Sequence, residues 1–549
     1  MSPQGRDSPS RFSPWVMLLV LCLGFFMILL DTTIVNIAIP SILDGLNTSL
    51  EQILWVLNAY ILVYAVLLIT AGRLGDLYGQ RNLFVIGLAL FTASSAACGL
   101  SQSVQELIFA RISQGVGGAL LAPQTLAMIT YIFPAEKRGA AFGVWGAVAG
   151  AAAVAGPTLG GVIVSSVGWR WIFYVNVPIG LLAVVLGLIV LPDVRFGRHH
   201  SLDMVGVLLA SAGLFGVVFG LITGQSQDWG SVVGSITIGE VIAAGILLLA
   251  VFVVWEHFEP EPLVAHNLFR NRNFALMTWV SAALSFGMLG LFLPLTIYFQ
   301  SALGMSALAA GLTILPMPVV SALVAPWAGR LADQLGGKYI LMVGLSLFAL
   351  GLGLVDWVAA PNSTWSTFTL PLMLAGVGMG CTFAPLSTVA MRNITPQIAG
   401  SAAGVLNAIR QVGAVFGSAV VGAVLQNRLA ASLRTQASTY SHQLSPRLRP
   451  DFVAAFAHVS KSGFKVGRGQ SGGAGLPPGM PAQLADQLNR LAHEVFLHGY
   501  VAAMRPTLIV SVAVVAVAAV SCAAIKRRAP QAPNALGPTV TAAAGAEHR

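Results

Sequence analysis

Asp31 is the residue of this sequence that most demands a chemical explanation. It stands about two-thirds of the way through an otherwise apolar run, Trp15 to Ile39. A charge at such depth in a bilayer costs about 2.5–3.5 kcal/mol or more, so a carboxylate there faces a cavity and has a task. Carboxyls in apolar surroundings bind protons more readily than carboxyls in water. A carboxylate that holds either a proton or a cationic substrate, never both, exchanges one for the other. The competing reading is a structural hydrogen bond to Thr32 or Asn36 on the same helix. Arg111 is a candidate cation for the same chemistry, in the apolar run 105–130 and near its outer side. Reaching to the interface or a structural salt bridge would also explain it. Gln114, three residues further on, can share its helix face.

Asp76, flanked by Arg73 and Arg81 between Gly72 and Gly79, forms a second candidate group. A carboxylate there can accept hydrogen bonds from the start of a neighbouring helix, where the dipole favours negative charge. Such a contact would act as a gate; the plainer reading is a turn with basic anchors. Gly143, Gly146, Gly150, Gly156, Pro157, Gly160 and Gly161 make a thin stretch of chain. Small residues there allow close helix packing, and the proline removes a backbone bond and bends the helix. Arg410 and Gln411 place a cation and an amide in a late apolar run, facing either Asp31, an anionic substrate or a structural partner. Glu240 and Asp356 read as interfacial. Candidate substrate-facing groups are Trp55, Asn58, Tyr60, Tyr64, Gln114, Tyr298, Gln300, Asn407 and Arg410, since aromatic faces bind lipophilic cations. Acids other than Asp31 are scarce among the cavity candidates, which predicts little preference for dications. The pair His199-His200 lacks metal-site spacing, and Cys22, Cys98, Cys381 and Cys522 lack paired spacing. No Gly-x4-Gly-Lys-Ser/Thr loop, HExxH helix or intramembrane acid pair occurs, which argues against an ATP-driven pump or a membrane enzyme.

The elements that hold these residues are membrane helices. Hydrophobic residues make up 56% of the 549 and charged residues 9%, where soluble proteins carry about 25% charged. The formal charge of +9 resides in short loops, not in a basic stripe, so nucleic acid is not a partner. A span needs about 20 apolar residues. Fourteen such runs are predicted: 15–39, 50–71, 82–100, 105–130, 139–164, 171–191, 203–223, 234–255, 274–299, 308–328, 339–358, 368–391, 400–425 and 503–524. The first is too long for a signal peptide, holds Asp31 and has no cleavage site at Pro40, so it reads as a span. Alternate loops carry Arg73 and Arg81, Lys137 and Arg138, Arg195 and Arg198, Arg270 and Arg272, Arg330 and Lys338, and Arg392. The tails add Arg6, Arg11, Lys526, Arg527 and Arg528, whereas 40–49, 101–104, 224–233, 300–307 and 359–367 have no Lys or Arg. That bias predicts both termini in the cytoplasm of a cell membrane protein. The outer segment 426–502 is long enough to translocate regardless of charge; it predicts a short helical hairpin around a flexible Gly467 to Pro481. Residues 1–12 and 529–549 read as disordered.

The chain contains an internal repeat. Gly72-Arg73-Leu74-Gly75-Asp76-Leu77-Tyr78-Gly79 returns as Gly329-Arg330-Leu331-Ala332-Asp333-Gln334-Leu335-Gly336. The first copy follows predicted helix 2 and the second follows helix 10. Two directly joined six-helix halves would put the second copy after helix 8, so two helices are inserted. The predicted organisation is an all-α, 6 + 2 + 6 polytopic protein: tail 1–14, first half 15–191, inserted helices 192–265, second half 266–524 and tail 525–549. Repeats of this kind typify secondary transporters with mid-membrane sites between the halves.

These stretches resemble the major facilitator superfamily, and within it the 14-spanner drug:proton antiporters. Leu30 to Pro40 resembles the first-helix signature, Gly72 to Arg81 the loop motif and Arg111 to Gly118 the fourth-helix motif. Gly156 to Gly161 resembles the core of the antiporter motif, Trp169 to Pro178 the entry to helix 6 and Leu268 to Phe274 the entry to helix 9. Departures are Ala152 where that antiporter motif has Gly, and Leu77 and Gln80 where the loop motif is basic. The resemblance implies coupling through Asp31 with Arg111 setting its protonation. It implies a gate of Gly72, Arg73, Asp76, Gly79 and Arg81 against helix 13 near Ser401. It also implies that the bend of Gly156, Pro157, Gly160 and Gly161 discourages leak. The expected protein is a monomeric exporter of lipophilic compounds in exchange for protons, without cofactor or metal. Its runner-up is an exporter of one endogenous metabolite, antibiotic, lipid or siderophore.

Overall fold

The computed structural model describes residues 12–48, 50–134, 136–193, 202–226, 229–265, 267–459 and 482–526. Arg6, Arg11, Arg195, Arg198, His199, His200, Arg527, Arg528, the predicted disordered tails 1–11 and 529–549 and the Gly467 to Pro481 stretch lie outside the described residues, whereas Phe12, assigned to the disordered tail, packs against the core.

Fourteen helices among the described residues are long and apolar enough to cross a membrane. In lipid every backbone N–H and C=O must be satisfied within the protein, so apolar runs of this length become helices. The first half comprises α1 (Pro14–Leu46), α2 (Leu50–Tyr78), α3 (Gln80–Leu100), α4 (Val104–Ile132), α5 (Arg138–Val167) and α6 (Trp171–Val190). The inserted pair is α7 (Met204–Ser226) and α8 (Ile238–Phe258). The second half comprises α9 (Arg272–Ile297), α10 (Pro316–Leu335), α11 (Gly337–Val358), α12 (Trp365–Met391), α13 (Ala399–Ser441) and α14 (Ala482–Ser521). Chain chemistry marks the ends. Ser13 and Ser103 cap α1 and α4 through side-chain oxygens, and Asn47 closes α1 in the left-handed conformation. Gly79 and Gly336, the last residues of the two repeat copies, turn the chain at φ 95° and 77°. A side chain resists those angles, so each copy ends in glycine.

Within the first half α1 packs on α5 and α6, and α4 on α2 and α3. Within the second, α9 packs on α13 and α14, and α12 on α10 and α11. The halves meet along two pseudo-equivalent seams, α2 with α13 and α5 with α10. Glycine makes the second seam close: Cβ atoms at Gly139, Gly143 and Gly150 would run into the backbone of Gly329, Ala325 and Pro318. The inserted pair sits on the first seam, where Val218 and Leu221 of α7 join Leu62 and Ala65 of α2 and Val415 and Ala419 of α13.

The outer segment differs from the predicted bounds. The hairpin is not a separate unit on span ends at 425 and 503; α13 and α14 themselves continue beyond the bundle, at the end away from Gly400, as helices of 43 and 40 residues. At 1.5 Å per residue each is about 60 Å long, about twice the hydrocarbon core. Leu425, Leu429, Leu433 and Ala437 recur every four residues and are buried, together with Leu488, Leu491, Val495 and Phe496. The extension therefore carries an apolar layer continuous with the core of the bundle, which Phe452 and Phe456 of an 11-residue helix, Arg449–Val459, complete. The Tyr440 hydroxyl lies 3.1 Å from His498 Nδ1 across it.

Candidate functional site

Asp31 and Arg111 form an ion pair inside the first half, at 0% and 1% exposure. Neither alternative partner of Asp31 on its own helix is used. Thr32 donates back to the Ile28 carbonyl, and Asn36 to the Thr32 carbonyl. The carboxylate is held instead by three side chains from two other helices, α4 and α6: Arg111 Nη1 on one oxygen, and on the other Gln114 Nε2 at 2.9 Å and Asn176 Nδ2 at 3.4 Å. Arg111 also donates to the Val56 carbonyl at 3.2 Å and to Gln114 Oε1 at 2.7 Å. Its guanidinium lies 4.2 Å from the centroid of the Tyr60 ring. Asn176 donates to Ser95 Oγ at 3.1 Å, and Ser95 donates to the Phe173 carbonyl at 2.9 Å. The break in α6 between Tyr174 and Asn176 is thus where the chain turns an amide toward Asp31 and a carbonyl toward Ser95. A buried pair satisfied this fully is stable as a unit, but removing one charge strands the other at about 3–5 kcal/mol.

Sequence reasoning put Gln114 on the helix face of Arg111 and, through the family resemblance, linked Arg111 to Asp31, but it missed Asn176 and Ser95. Both are polar residues inside apolar helices, a signal weaker than a charge. The direct-competition picture of Asp31 also changes. The carboxylate is enclosed by Arg111, Gln114 and Asn176, so a substrate between the halves does not meet it.

A cavity between the halves is lined by Leu126 and Trp145 from the first half and by Leu284, Phe383, Leu386 and Leu406 from the second. Its polar wall is Ser281, Ser387, Asn407 and Arg410. Arg410 reaches the Tyr64 side chain across the α2–α13 seam. The Tyr64 and Tyr60 rings stack with centroids 6.0 Å apart. A continuous set of contacts therefore runs from Asp31 through Arg111, Tyr60 and Tyr64 to the cavity. Of the other candidates, Asn58 is partly buried on α2, and Trp55 packs on Phe219 of α7. Tyr298 lies elsewhere: it is buried in the π-helical turn after α9, donating to the Ala360 carbonyl at 2.6 Å and packed on Phe368 and Tyr500. Glu240 is exposed and forms a capping box with Thr237, a structural task.

The repeat builds a matched pair of clamps at one end of the bundle. Asp76 accepts from the backbone N–H groups of Gly400 and Ser401, at 2.8 and 2.7 Å, at the start of α13. Asp333 does the same with Gly139 and Ala140 at the start of α5, at 2.8 and 2.9 Å. Each is a carboxylate on the positive end of a helix. Gly72 and Gly329 permit the approach, since a Cβ on either would collide with the backbone of Gly400 or Gly139. Asp333 went unassigned from sequence although the repeat pointed to it. Gln80, a departure from the loop motif, donates to Asp76 at 3.4 Å. Arg73 is buried near Asp76, whereas Arg81 turns away to Asp193 at 3.6 Å. The linker after α8 is tied to the first clamp, because Ser401 donates to the Leu263 carbonyl while Glu256 accepts from Leu263 and Val264. In the antiporter-motif segment Gly156 abuts Thr33 of α1, Gly160 is buried and a Cβ at Gly161 would meet nothing within 4 Å. The Pro157 side chain lies outside the described groups.

Two six-helix halves around an enclosed cavity, with repeat-related clamps at one end, define a multi-pass membrane protein of the secondary-transporter type. The chain belongs to the Major Facilitator Superfamily, whose family profile matches residues 21–418. It is 40% identical over 422 residues to an uncharacterised MFS-type transporter of Mycobacterium tuberculosis, covering 77% of this chain and 72% of that one. It is 34% identical to the tetracenomycin C resistance and export protein of Streptomyces glaucescens, over 91% of this chain and 92% of the relative. Among solved structures it superposes on the human organic anion transporter MFSD10 with a TM-score of 0.57 at 15% identity, over 75% of this chain and 94% of the other. That last likeness concerns the fold alone.

Proposed function

We propose that this protein exports lipophilic small molecules across the cell membrane in exchange for protons, by alternating access, with the clamp end facing the cytoplasm. The observation that carries the reading is the enclosed Asp31–Arg111 pair and its contact path to the cavity. A proton on Asp31 cancels the charge that holds Arg111. The guanidinium is then stranded, at a cost of about 3–5 kcal/mol, and must find another partner. Its movement shifts Tyr60, and through Tyr64 the cavity wall. Coupling is thus indirect: the proton competes with Arg111 for Asp31, not with the substrate. The clamps hold one of the two alternating states. The Lys and Arg bias of the loops supports the cytoplasmic assignment of the clamp end.

The test is proton movement in proteoliposomes on adding lipophilic drugs, wild type beside Asp31→Asn. Drug-triggered proton movement that disappears in the variant supports the reading; equal movement in both removes Asp31 from coupling. A second reading, export of one endogenous compound, is favoured by the relative from Streptomyces glaucescens that exports tetracenomycin C. A drug panel separates the two: one active compound among many supports the dedicated exporter.

A further inference from the structure

The central cavity contains a cation with no carboxylate to balance it. Arg410 opens on the cavity, and its charged or polar neighbour across the seam is Tyr64. No Asp or Glu lines the cavity among the described residues. The acids nearest in function are all committed elsewhere: Asp31 to Arg111, Asp76 to the start of α13 and Asp333 to the start of α5. The rest of the polar wall also has donors to spare. Trp145 is 1% exposed, lines the cavity, and its indole N–H has no acceptor among the described residues. Ser281 and Ser387 add hydroxyls that can donate as well as accept. Leu126, Leu284, Phe383, Leu386 and Leu406 supply apolar walls around these groups.

A partly buried guanidinium without a counter-charge is unfavourable, and so is a buried indole N–H without an acceptor. One ligand relieves both: a molecule with an apolar body and a single anionic, acceptor-rich group. A lipophilic cation would relieve neither and would be repelled by Arg410. The cavity is narrow in this state, with room for about one water molecule, so a ligand enters only when the halves move apart. We infer that the widened cavity takes amphipathic organic anions, such as phenolates, enolates or carboxylates on a ring system, with Arg410 as the residue that recognises the charge and Trp145 on the same wall. This rests on the alternating-access export reading for the widening and the direction of transport, whereas the charge preference stands on the groups that line the cavity. It takes up the anionic-substrate alternative that the sequence left open for Arg410 and departs from the expectation that aromatic faces would bind lipophilic cations.

The test uses two probes of the same shape and opposite charge, tetraphenylborate and tetraphenylphosphonium. Their binding to the purified full-length protein is measured by equilibrium dialysis for wild type, Arg410→Gln and Arg410→Lys. Taking the ratio of the two affinities, and comparing it between variants, cancels partition of the probes into the detergent. A charge-assisted hydrogen bond predicts that the ratio, anion over cation, falls roughly ten- to a hundredfold in Arg410→Gln and stays within a few-fold of wild type in Arg410→Lys. An unchanged ratio in Arg410→Gln overturns the inference, as does an equal fall in Arg410→Lys. If Arg410→Gln does not fold, wild type in proteoliposomes decides. The anion must inhibit export of the neutral dye N-phenyl-1-naphthylamine at least tenfold more strongly than the cation, and equal inhibition overturns the inference. Proton movement that depends on Asp31 without any charge preference would leave the export reading standing and remove this one. A charge preference without proton movement would do the reverse.

Discussion

Replacing the clamp carboxylates by amides, Asp76→Asn and Asp333→Asn, probes the proposed gate most directly. Each carboxylate accepts two backbone N–H groups at a helix start. The two N–H groups fall on different carboxylate oxygens, and an amide keeps one oxygen and puts an NH2 donor in place of the other. A hydrogen bond to a charged acceptor contributes about 1.5–3 kcal/mol and one to a neutral acceptor about 0.5–1.5, so the retained bond weakens by about 1 kcal/mol and the other, worth about 2, is lost. The sum is about 3 kcal/mol per clamp, and a tenfold change in a ratio corresponds to about 1.4. A single substitution therefore shifts the balance between closed and open clamp ends roughly a hundredfold, and the double substitution roughly ten-thousandfold. A population starting near 99:1 closed falls to about 1:1 in either single variant and becomes almost wholly open in the double. Spin labels on cysteines replacing Tyr78 and Leu335 report this. Both residues are exposed, at 60% and 66%, and lie on opposite halves at the clamp end. Cys381 is replaced by Ala, the other native cysteines being buried. The expected result is a second, longer distance of about half the weight in each single variant and of dominant weight in the double. A single variant that matches the double would refute the additive, two-clamp reasoning, and no longer distance in any variant would refute the clamps altogether.

Arg111→Gln alone strands the Asp31 carboxylate and lowers thermal stability by about 3–5 kcal/mol, whereas Asp31→Asn with Arg111→Gln recovers part of the loss; melting in detergent checks both, and a double variant no more stable than Arg111→Gln contradicts the pairing. Gly329→Val drives a side chain into the Gly139 backbone, so the same spin-label pair should report a clamp end that stays open. Leu433→Ala removes a buried side chain from the outer layer at a cost of about 2–5 kcal/mol. Limited proteolysis should then cut the extensions of α13 and α14 faster, while the membrane-embedded part resists as before.

Much of the architecture was readable without coordinates, and so was one clamp. Asp76 was legible because it sits in a repeat whose second copy gives the period of the fold. Asp31 and Arg111 were legible because charges are rare in apolar runs. Asn176 and Ser95 were not, since uncharged polar residues occur in spans for many reasons and only their convergence on Asp31 marks them. The outer ends of α13 and α14 were misread because the predicted spans stopped where continuous apolarity stops. A helix beyond the membrane needs only one apolar stripe, and Leu425, Leu429, Leu433 and Ala437 provide it.

Sequence alone determined the number of spans, the repeat, the inserted pair and the few residues able to carry charge inside a membrane. It could do so because lipid imposes its rule residue by residue: an apolar run must be helical, and a charge within it must have a reason. Tertiary structure decided who meets whom. Asp31 became an enclosed partner of Arg111, Asp333 a second clamp, α7 a cover on the α2–α13 seam, and Arg410 the one charge on the described wall of the cavity. Those outcomes depend on which face each helix turns to its neighbours, and that is set by packing among all the helices at once.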